Sequence, residues 1–436
     1  MKRQSVWVAL ALTGLLFLPS RVLGQGLVAP SAGPINSGMA GASTAAPIEF
    51  GSTYWNPANL SGLDRQEFLL GSALTIPSIH LQNSLKAGSI GGLPLTNRSG
   101  LSRSNSGVVS GVATGTAFRL SDDSPLTFGL GVFGFVGGGV NLAGSFQNPI
   151  LTPRRAPNFF GVGPIYSNMS ILEIAPMASI RVNDWLSVGG GPLITSGSVS
   201  LSPAFFAPGP KDVTGLPTFP SGTNSRPFWG GGFQLGLLAE LNENWNAGFS
   251  YKSPIWQEPW AYNASNPDLS PRSISVQASL PAIYSWGLAF KGIPRTLLAL
   301  DMRLFDYKSA QLFGDSVASG GLGWQNVFAV ALGAQHHLTD RIDLLGGYLY
   351  NTNPISATNT LFNVQAPGII QNNLSLGASL HLTDSILFSA SWVHGFRNSV
   401  SGSILQLPGS ETKLDAQTDT LWAGLTIRFG ESRTGK

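Results

Sequence analysis

Residues 272–290 read RSISVQASLPAIYSWGLAF, and from Ile274 to Phe290 every second residue is apolar. Side chains on a strand point to opposite faces with period two, so this run has one greasy face and one small or polar face. Soluble strands usually hold about five or six residues. A run of this length suits a strand that crosses a bilayer and continues into an external extension.

The same alternation recurs along the chain. Segments near 66–81, 106–121, 125–141, 167–182, 185–202, 227–242, 245–256, 272–290, 294–308, 322–338, 341–352, 369–383, 385–398 and 417–429 read as fourteen strands. Short connections such as Asn183-Asp184, Asn242-Glu243-Asn244, Gly292-Ile293 and Thr339-Asp340 alternate with long ones rich in Pro, Gly, Asn and Ser. An even strand number with short turns on one side and long loops on the other is the pattern of outer-membrane barrels. A propeller or a sandwich would not segregate its connections this way. The last strand ends with Leu421, Ala423, Leu425, Ile427 and Phe429 on one face, followed by a short tail, 430–436. The expected fold is all-β, a 14-stranded antiparallel transmembrane β-barrel over residues 66–429.

Composition agrees. Charged residues make up 11% of the chain, against roughly 25% in soluble domains. Lys2 and Arg3, the apolar run Ser5–Leu18 and the small residues before Gln25 read as a secretory signal over residues 1–24, cleaved after Gly24. Removing Lys2, Arg3 and Arg21 from the 25 basic residues leaves 22 against 22 acidic ones, so nothing argues for nucleic acid. With no cysteine, a disulfide framework and thiolate metal sites are excluded. Parity places Glu173, Arg181, Glu240, Asp301, Arg303, Asp343 and Arg428 opposite the apolar stripe. An arginine facing lipid at the midplane costs about 2–4 kcal/mol, which assigns these charges to the lumen. Both signs are present there, which favours a packed or plugged interior over a wide aqueous pore.

Between the signal and the first strand, residues 25–65 do not alternate. They hold the small-residue run Gly38–Ala46 and the stretch Tyr54-Trp55-Asn56-Pro57-Ala58-Asn59-Leu60. Such a segment needs somewhere to bury itself, and the lumen is available. Here the chain resembles the FadL/TodX (OMPP1) family of outer-membrane transporters for long-chain fatty acids and aromatic hydrocarbons. The signal, the Gly/Ala-rich stretch, Asn56-Pro57-Ala58 about ten residues before strand one and fourteen strands carry the resemblance. It implies that residues 25–65 are an N-terminal hatch plugging the lumen, that hydrophobic substrate enters passively from outside, and that it leaves laterally beside a kinked third strand. The third strand here contains Phe133-Gly134-Phe135-Val136-Gly137-Gly138-Gly139, and glycine within a strand marks a bulge or bend. Gly134, Gly137, Gly138 and Gly139 are the candidate opening, and Phe133 and Phe135 are candidate substrate contacts. The family captures substrate on its third and fourth long loops. In this chain those are the short, Pro-rich 203–226 and 257–271, with Phe205, Phe206, Trp256, Trp260 and Tyr262 at or beside them as an apolar landing patch. The expected partners are a fatty acid or hydrocarbon substrate, outer-membrane lipid and lipopolysaccharide, and the barrel-assembly machinery, with the protein a monomer. The alternative reading is an aqueous porin or a structural barrel of the envelope.

Catalysis finds little support. Gly129–Gly134 fits GxGxxG but lies inside a strand, without the helix N-terminus a dinucleotide needs. Ser391 and His394 are three apart in a strand and point to opposite faces, and His336, His337 and His381 sit beside short turns. No catalytic residue, cofactor or metal site is expected.

Overall fold

The computed structural model describes residues 25–432 apart from 91, 122, 154–160, 213–216, 267–268 and 405–408. The expected signal segment and the end of the C-terminal tail lie outside the described residues. The barrel strands are Gln66–Leu85 (β1), Val109–Arg119 (β2), Leu126–Leu142 (β3), Ile165–Arg181 (β4), Leu186–Ser202 (β5), Phe228–Asn242 (β6) and Trp245–Lys252 (β7). They continue with Ile283–Ile293 (β8), Thr296–Phe305 (β9), Val327–His337 (β10), Ile342–Asn351 (β11), Asn372–His381 (β12), Ile386–Gly402 (β13) and Glu411–Phe429 (β14). Each strand pairs antiparallel with its sequence neighbour. The sheet closes on itself through β1 and β14, from Gln66↔Phe429 to Ser84↔Glu411.

Alternation decides what faces where. On β1, Leu69 and Ala73 are buried, whereas Phe68, Leu70, Leu74 and Ile76 are 38–53% exposed to the surroundings, which in a membrane are lipid. Leu421, Leu425, Ile427 and Phe429 continue that outer surface on β14. The outward apolar row from Phe68 to Ile76, in strands tilted by about 40°, spans about 20 Å of height, matching the apolar band of such barrels. Asp301, Arg303, Glu173 and Asp343 are all buried inside, as parity required. They are paired there: Lys252 Nζ lies 2.8 Å from Glu173 and Arg303 Nη2 lies 2.5 Å from Asp301. Arg428 lies 3.6 Å from Glu67 and Arg181 3.9 Å from Glu240.

The stretch 272–290 is not one strand. Pro271–Val276 peels away to pair with Trp260–Ser265 in a separate hairpin. Ser279–Leu280 pairs with Ile255–Trp256. The crossing strand begins only at Ile283. Pro281 has no N–H to give the ladder, and Pro254 interrupts the neighbouring strand at the same level. Alternation survives the break because the stripe has two apolar surroundings, the outer surface and the loop cap. Trp286 and Leu288 face outward, while Ile274, Ala278 and Leu280 are buried under the loops.

Candidate functional site

Residues 25–63 lie inside the barrel, and Asp64 and Arg65 reach its rim. Apart from Pro47 and Ile48, every residue from Ser31 to Ser61 is buried. The segment folds into two short helices, Pro34–Gly38 (α1) and Asn59–Gly62 (α2), with a 3-10 turn at Phe50–Tyr54 between them. Pro34 opens α1, where its missing N–H costs nothing. Asn56 works both ways. Its Oδ1 accepts from Ala58 N at 3.0 Å, closing the Asn-Pro turn, and its Nδ2 donates to Thr44 O at 2.7 Å and to Leu237 O on β6 at 2.9 Å. Pro57 and Ala58 press on β5, where a Cβ on Gly189 would come within 2.6 Å of them.

The strongest polar hold is on β9. The Asp301 carboxylate accepts from Ser43 N at 3.0 Å, Thr44 N at 2.9 Å and Thr44 Oγ1 at 2.7 Å. Arg303 completes the joint: its Nη2 donates to Gly41 O, and its guanidinium stacks 3.8 Å from the Trp55 ring. Glu67 on β1 accepts from Phe50 N, and Gln234 on β6 donates to Tyr54 O and Trp55 O. Wall glycines give the segment its room. A Cβ on Gly236 would lie 1.9 Å from Asn56 Oδ1, and one on Gly248 2.3 Å from Thr44 O. Sequence reading missed this set, although glycine at lumen parity in mid-strand was a visible signal of close backbone approach.

Beneath α1, Glu49 is buried, with Oε1 accepting from Asn36 N at 2.7 Å and Oε2 without a partner. Burial is the main reason its pKa is pushed up to about 8; the Asn36 N–H works against the shift and the nearby Glu67 carboxylate adds to it. Lys252, also not singled out from sequence, holds Glu173 while its Nζ sits 4.4 Å from the Tyr54 ring and 4.8 Å from the Phe135 ring.

The third strand carries an irregularity where its glycines suggested one. Pairing of β2 with β3 runs from Arg119↔Thr127 to Ala113↔Phe133 and then stops. Pairing of β3 with β4 shifts register between Gly134 and Val136. From Gly134 to Val140, β3 has no ladder partner in β2, until Asn105 N donates to Asn141 O and Asn141 N to Ser104 Oγ. The strands stay close, since a Cβ on Gly134 would lie 3.4 Å from Val112 N. Of the three consecutive glycines only Gly139 is demanded by space, with Ser167 O 2.4 Å from its ideal Cβ; Gly137 meets Val109 at 3.5 Å and Gly138 nothing. From inside, the start of the N-terminal segment covers this seam. Ala29 N donates to Phe135 O at 2.8 Å, and Val28 bridges Val136.

Outside, the loops form a cap with a small apolar pocket of about 60 Å³. Phe205, Phe206 and Trp260 line it, joined by Phe313 and Phe362 from the long loops after β9 and β11. The other candidates fall elsewhere. Tyr262 is buried behind Phe206, their rings 5.8 Å apart, and burial raises its phenol pKa. Trp256 points outward, 58% exposed, at the rim of the lipid-facing surface, as a girdle residue would. Phe133 and Phe135 are wholly buried against Phe50 and Tyr54 of the N-terminal segment.

Pocket and seam are joined by aromatic rings. Phe313 lies 6.0 Å from Tyr307, Tyr307 6.3 Å from Phe305 and Phe305 6.4 Å from Trp55. Trp55 lies 4.8 Å from Tyr54, which lies 6.1 Å from Phe135 at the seam. Tyr307 also touches the N-terminal segment by hydrogen bonds: its hydroxyl accepts from Leu27 N and donates to Gln25 O, both at 3.2 Å.

The histidine and serine candidates do not assemble a catalytic pair. Ser391 is buried on the lumen side, while His394 faces outward on Asp419. His337 and His381 are not merely solvated turn residues, since they flank Asp343 at 2.6 and 3.1 Å. Among the described residues no group of His, Cys, Asp and Glu is arranged to hold a metal ion.

Comparison with known proteins fits this architecture. The family of outer membrane protein transport proteins (OMPP1/FadL/TodX) matches residues 23–419. The toluene transporter TodX of P. putida superposes with a TM-score of 0.68 at 16% identity, covering 92% of this chain and 99% of that one. A FadL homologue from Pseudomonas aeruginosa gives 0.69 at 18%, covering 93% and 100%. The Ralstonia pickettii toluene transporter TbuX gives 0.67 at 16%, covering 92% and 99%. No curated protein sequence matches the chain.

Proposed function

The chain belongs to the family of outer membrane protein transport proteins (OMPP1/FadL/TodX), and from that premise we propose that it takes up small uncharged hydrophobic molecules through a hatch-plugged barrel and releases them sideways between β2 and β3. The observation that carries this reading is the run of rings from the cap pocket through Phe313, Tyr307, Phe305, Trp55 and Tyr54 to Phe135. It supports a route that begins at an apolar pocket outside and ends at the stretch of wall without ladder bonds. Phe205, Phe206 and Trp260 would be the landing residues, residues 25–65 the hatch, and Gly134 to Gly139 the edge of the exit.

The substrate class follows from charge. Among the described residues the pocket lining carries no charged side chain, and its one polar side chain, Gln365, already donates to Tyr166 O and Pro203 O. The buried cations further in, Lys252 and Arg303, are matched by Glu173 and Asp301. A carboxylate brought there unpaired would cost several kcal/mol, so a hydrocarbon fits better than an ionised fatty acid. An aqueous porin would conduct ions steadily, and the buried hatch speaks against it.

One experiment tests route and class together. Cysteines at Val112 and Gly134 would sit directly across the seam. Under oxidation, uptake of ethylbenzene into cells should fall at least tenfold and return on reduction, with benzoate not taken up in either state. Unchanged uptake in the cross-linked protein would rule out the lateral exit, and saturable benzoate uptake would rule out the substrate class.

A further inference from the structure

The outward face of the barrel is not uniform. At the outer ends of several lipid-facing rows stand aromatic residues, among them Trp229, Tyr251, Tyr284 and Tyr348, as expected of an interfacial girdle. Where β1, β13 and β14 meet, the same level carries charge instead. His80 lies opposite both Asp415 on β14 and Arg103 on the adjoining strand Arg98–Arg103, so all three share the outward face. Lys413 stands two residues beyond Asp415, outward and exposed. Below them His394 contacts Asp419 at 2.8 Å, beside Ile76 at the upper edge of the apolar band.

The backbone is shaped to build this cluster. Pairing of β13 with β14 runs through Gly395↔Thr418 and resumes at Asn398↔Ala416, so two residues oppose one. Such a bulge re-aims side chains. Phe396 and Arg397 are both turned out in succession, and Arg397 Nη1 reaches Asp415 Oδ1 at 2.9 Å and His80 Nδ1 at 3.3 Å. The cluster stands about 10 Å above the apolar band, counting strand rise and tilt, which is headgroup depth. Three cations (Arg103, Arg397, Lys413) share this outward face with Asp415, Asp419 and, at the end of β14, Glu411. Asp415 fixes the Arg397 guanidinium, while among the described residues Arg103 and Lys413 have no carboxylate within ion-pair distance, and a guanidinium fork suits phosphate. Trp392 and Phe396, half-exposed beside it, offer apolar contact at the level where acyl chains begin.

We propose that the outward cluster of Arg103, Arg397 and Lys413 around Asp415 and His80 binds the phosphorylated headgroup of an outer-leaflet glycolipid. The site lies on the far face of the wall from the transport route, so it is independent of the substrate reading.

The test is native mass spectrometry of the mature protein released from outer membranes in mild detergent. Wild type should carry a phosphorylated glycolipid adduct. The Arg103→Gln, Arg397→Gln, Lys413→Gln triple variant should retain it at least tenfold less, with unchanged adducts of zwitterionic phospholipid. Heat-modifiable gel mobility and hydrocarbon binding in the cap pocket check that the variant has folded and that transport chemistry is untouched. Equal glycolipid retention by the variant, or a wild type that carries none, overturns the proposal. So does a wild-type particle of paired copies that the variant splits, which would make the cluster a contact between barrels.

Discussion

Replacing Asp301 should unseat the hatch while leaving the barrel intact. Its carboxylate takes three hydrogen bonds from Ser43 and Thr44 and holds Arg303, and both side chains of the ion pair are 1% exposed. Asp301→Ala removes the acceptors and leaves a buried guanidinium with Gly41 O and the Trp55 ring as its remaining named contacts. Removing one partner of a buried pair typically costs about 3–5 kcal/mol. Because Arg303 borders both hatch and wall, most of that cost falls on the seated state. At about 1.4 kcal/mol per tenfold, the unseated population should rise by roughly 10²- to 10³-fold. Asp301→Asn keeps an acceptor oxygen and should show a smaller rise, and Asp301→Asn with Arg303→Met, which removes the orphaned charge, smaller again. The assay is the frequency of opening events in planar bilayers, paired with hydrogen exchange across residues 38–60. Gel mobility of the folded barrel serves as the control. An Asp301→Ala protein with wild-type exchange and wild-type opening would refute the reasoning, as would a double variant that opens more than Asp301→Ala.

Two further outcomes follow from the same site. Glu49 keeps its proton up to about pH 8 when the hatch is seated and releases it near 4.3 when solvated. Seating should therefore weaken as pH rises from about 4.5 to 8 and level off above. Exchange at residues 34–38 should follow that curve, and Glu49→Gln should flatten it; a wild type insensitive to pH would show the carboxyl is not in control. Gly236→Ala drives a methyl into Asn56 Oδ1, 1.9 Å away, and overpacking of this kind costs about 1–3 kcal/mol. Gly346→Ala, on the outward face with nothing within 4 Å, should leave hatch exchange unchanged, and equal effects from the two would remove the close-approach argument.

What the sequence made legible was whatever obeys period two. Parity alone put Asp301, Arg303 and Glu173 in the lumen, and the same parity would have added Lys252, which ends β7 just before Ser253-Pro254. Pro281 was readable as a breaker, yet the alternation across it disguised two elements as one. A stripe facing lipid and a stripe facing a loop cap look identical in a linear string. The cap pocket was half legible for a related reason. Phe205, Phe206 and Trp260 stood out as aromatics on loops, but nothing local says that Phe313 and Phe362 fold back over them. Trp256 misled because, one residue from Ile255, it lies on the opposite face of its short strand.

The contacts holding the proposed hatch are unequal along its length, and this bears on how the proposed exit would open. Its body is fixed by Asp301, Glu67, Gln234 and the Asn56 turn, several of them charge-assisted and all buried. Its leading end, residues 25–29, is held by the Ala29–Phe135 bond, the Tyr307 hydroxyl and the Tyr54 hydroxyl on Ala29 O. Neutral hydrogen bonds of that kind contribute about 0.5–1.5 kcal/mol each. Freeing the leading end therefore costs less than unseating the body, and it is the leading end that covers the seam. Tyr307 sits at the junction, in ring contact with Phe313 of the pocket and in hydrogen-bond contact with Leu27. A ligand advancing along the rings reaches Tyr307 before it reaches Trp55. The cheaper motion is also the one the ligand meets first, so passage does not require the body of the hatch to leave its seat.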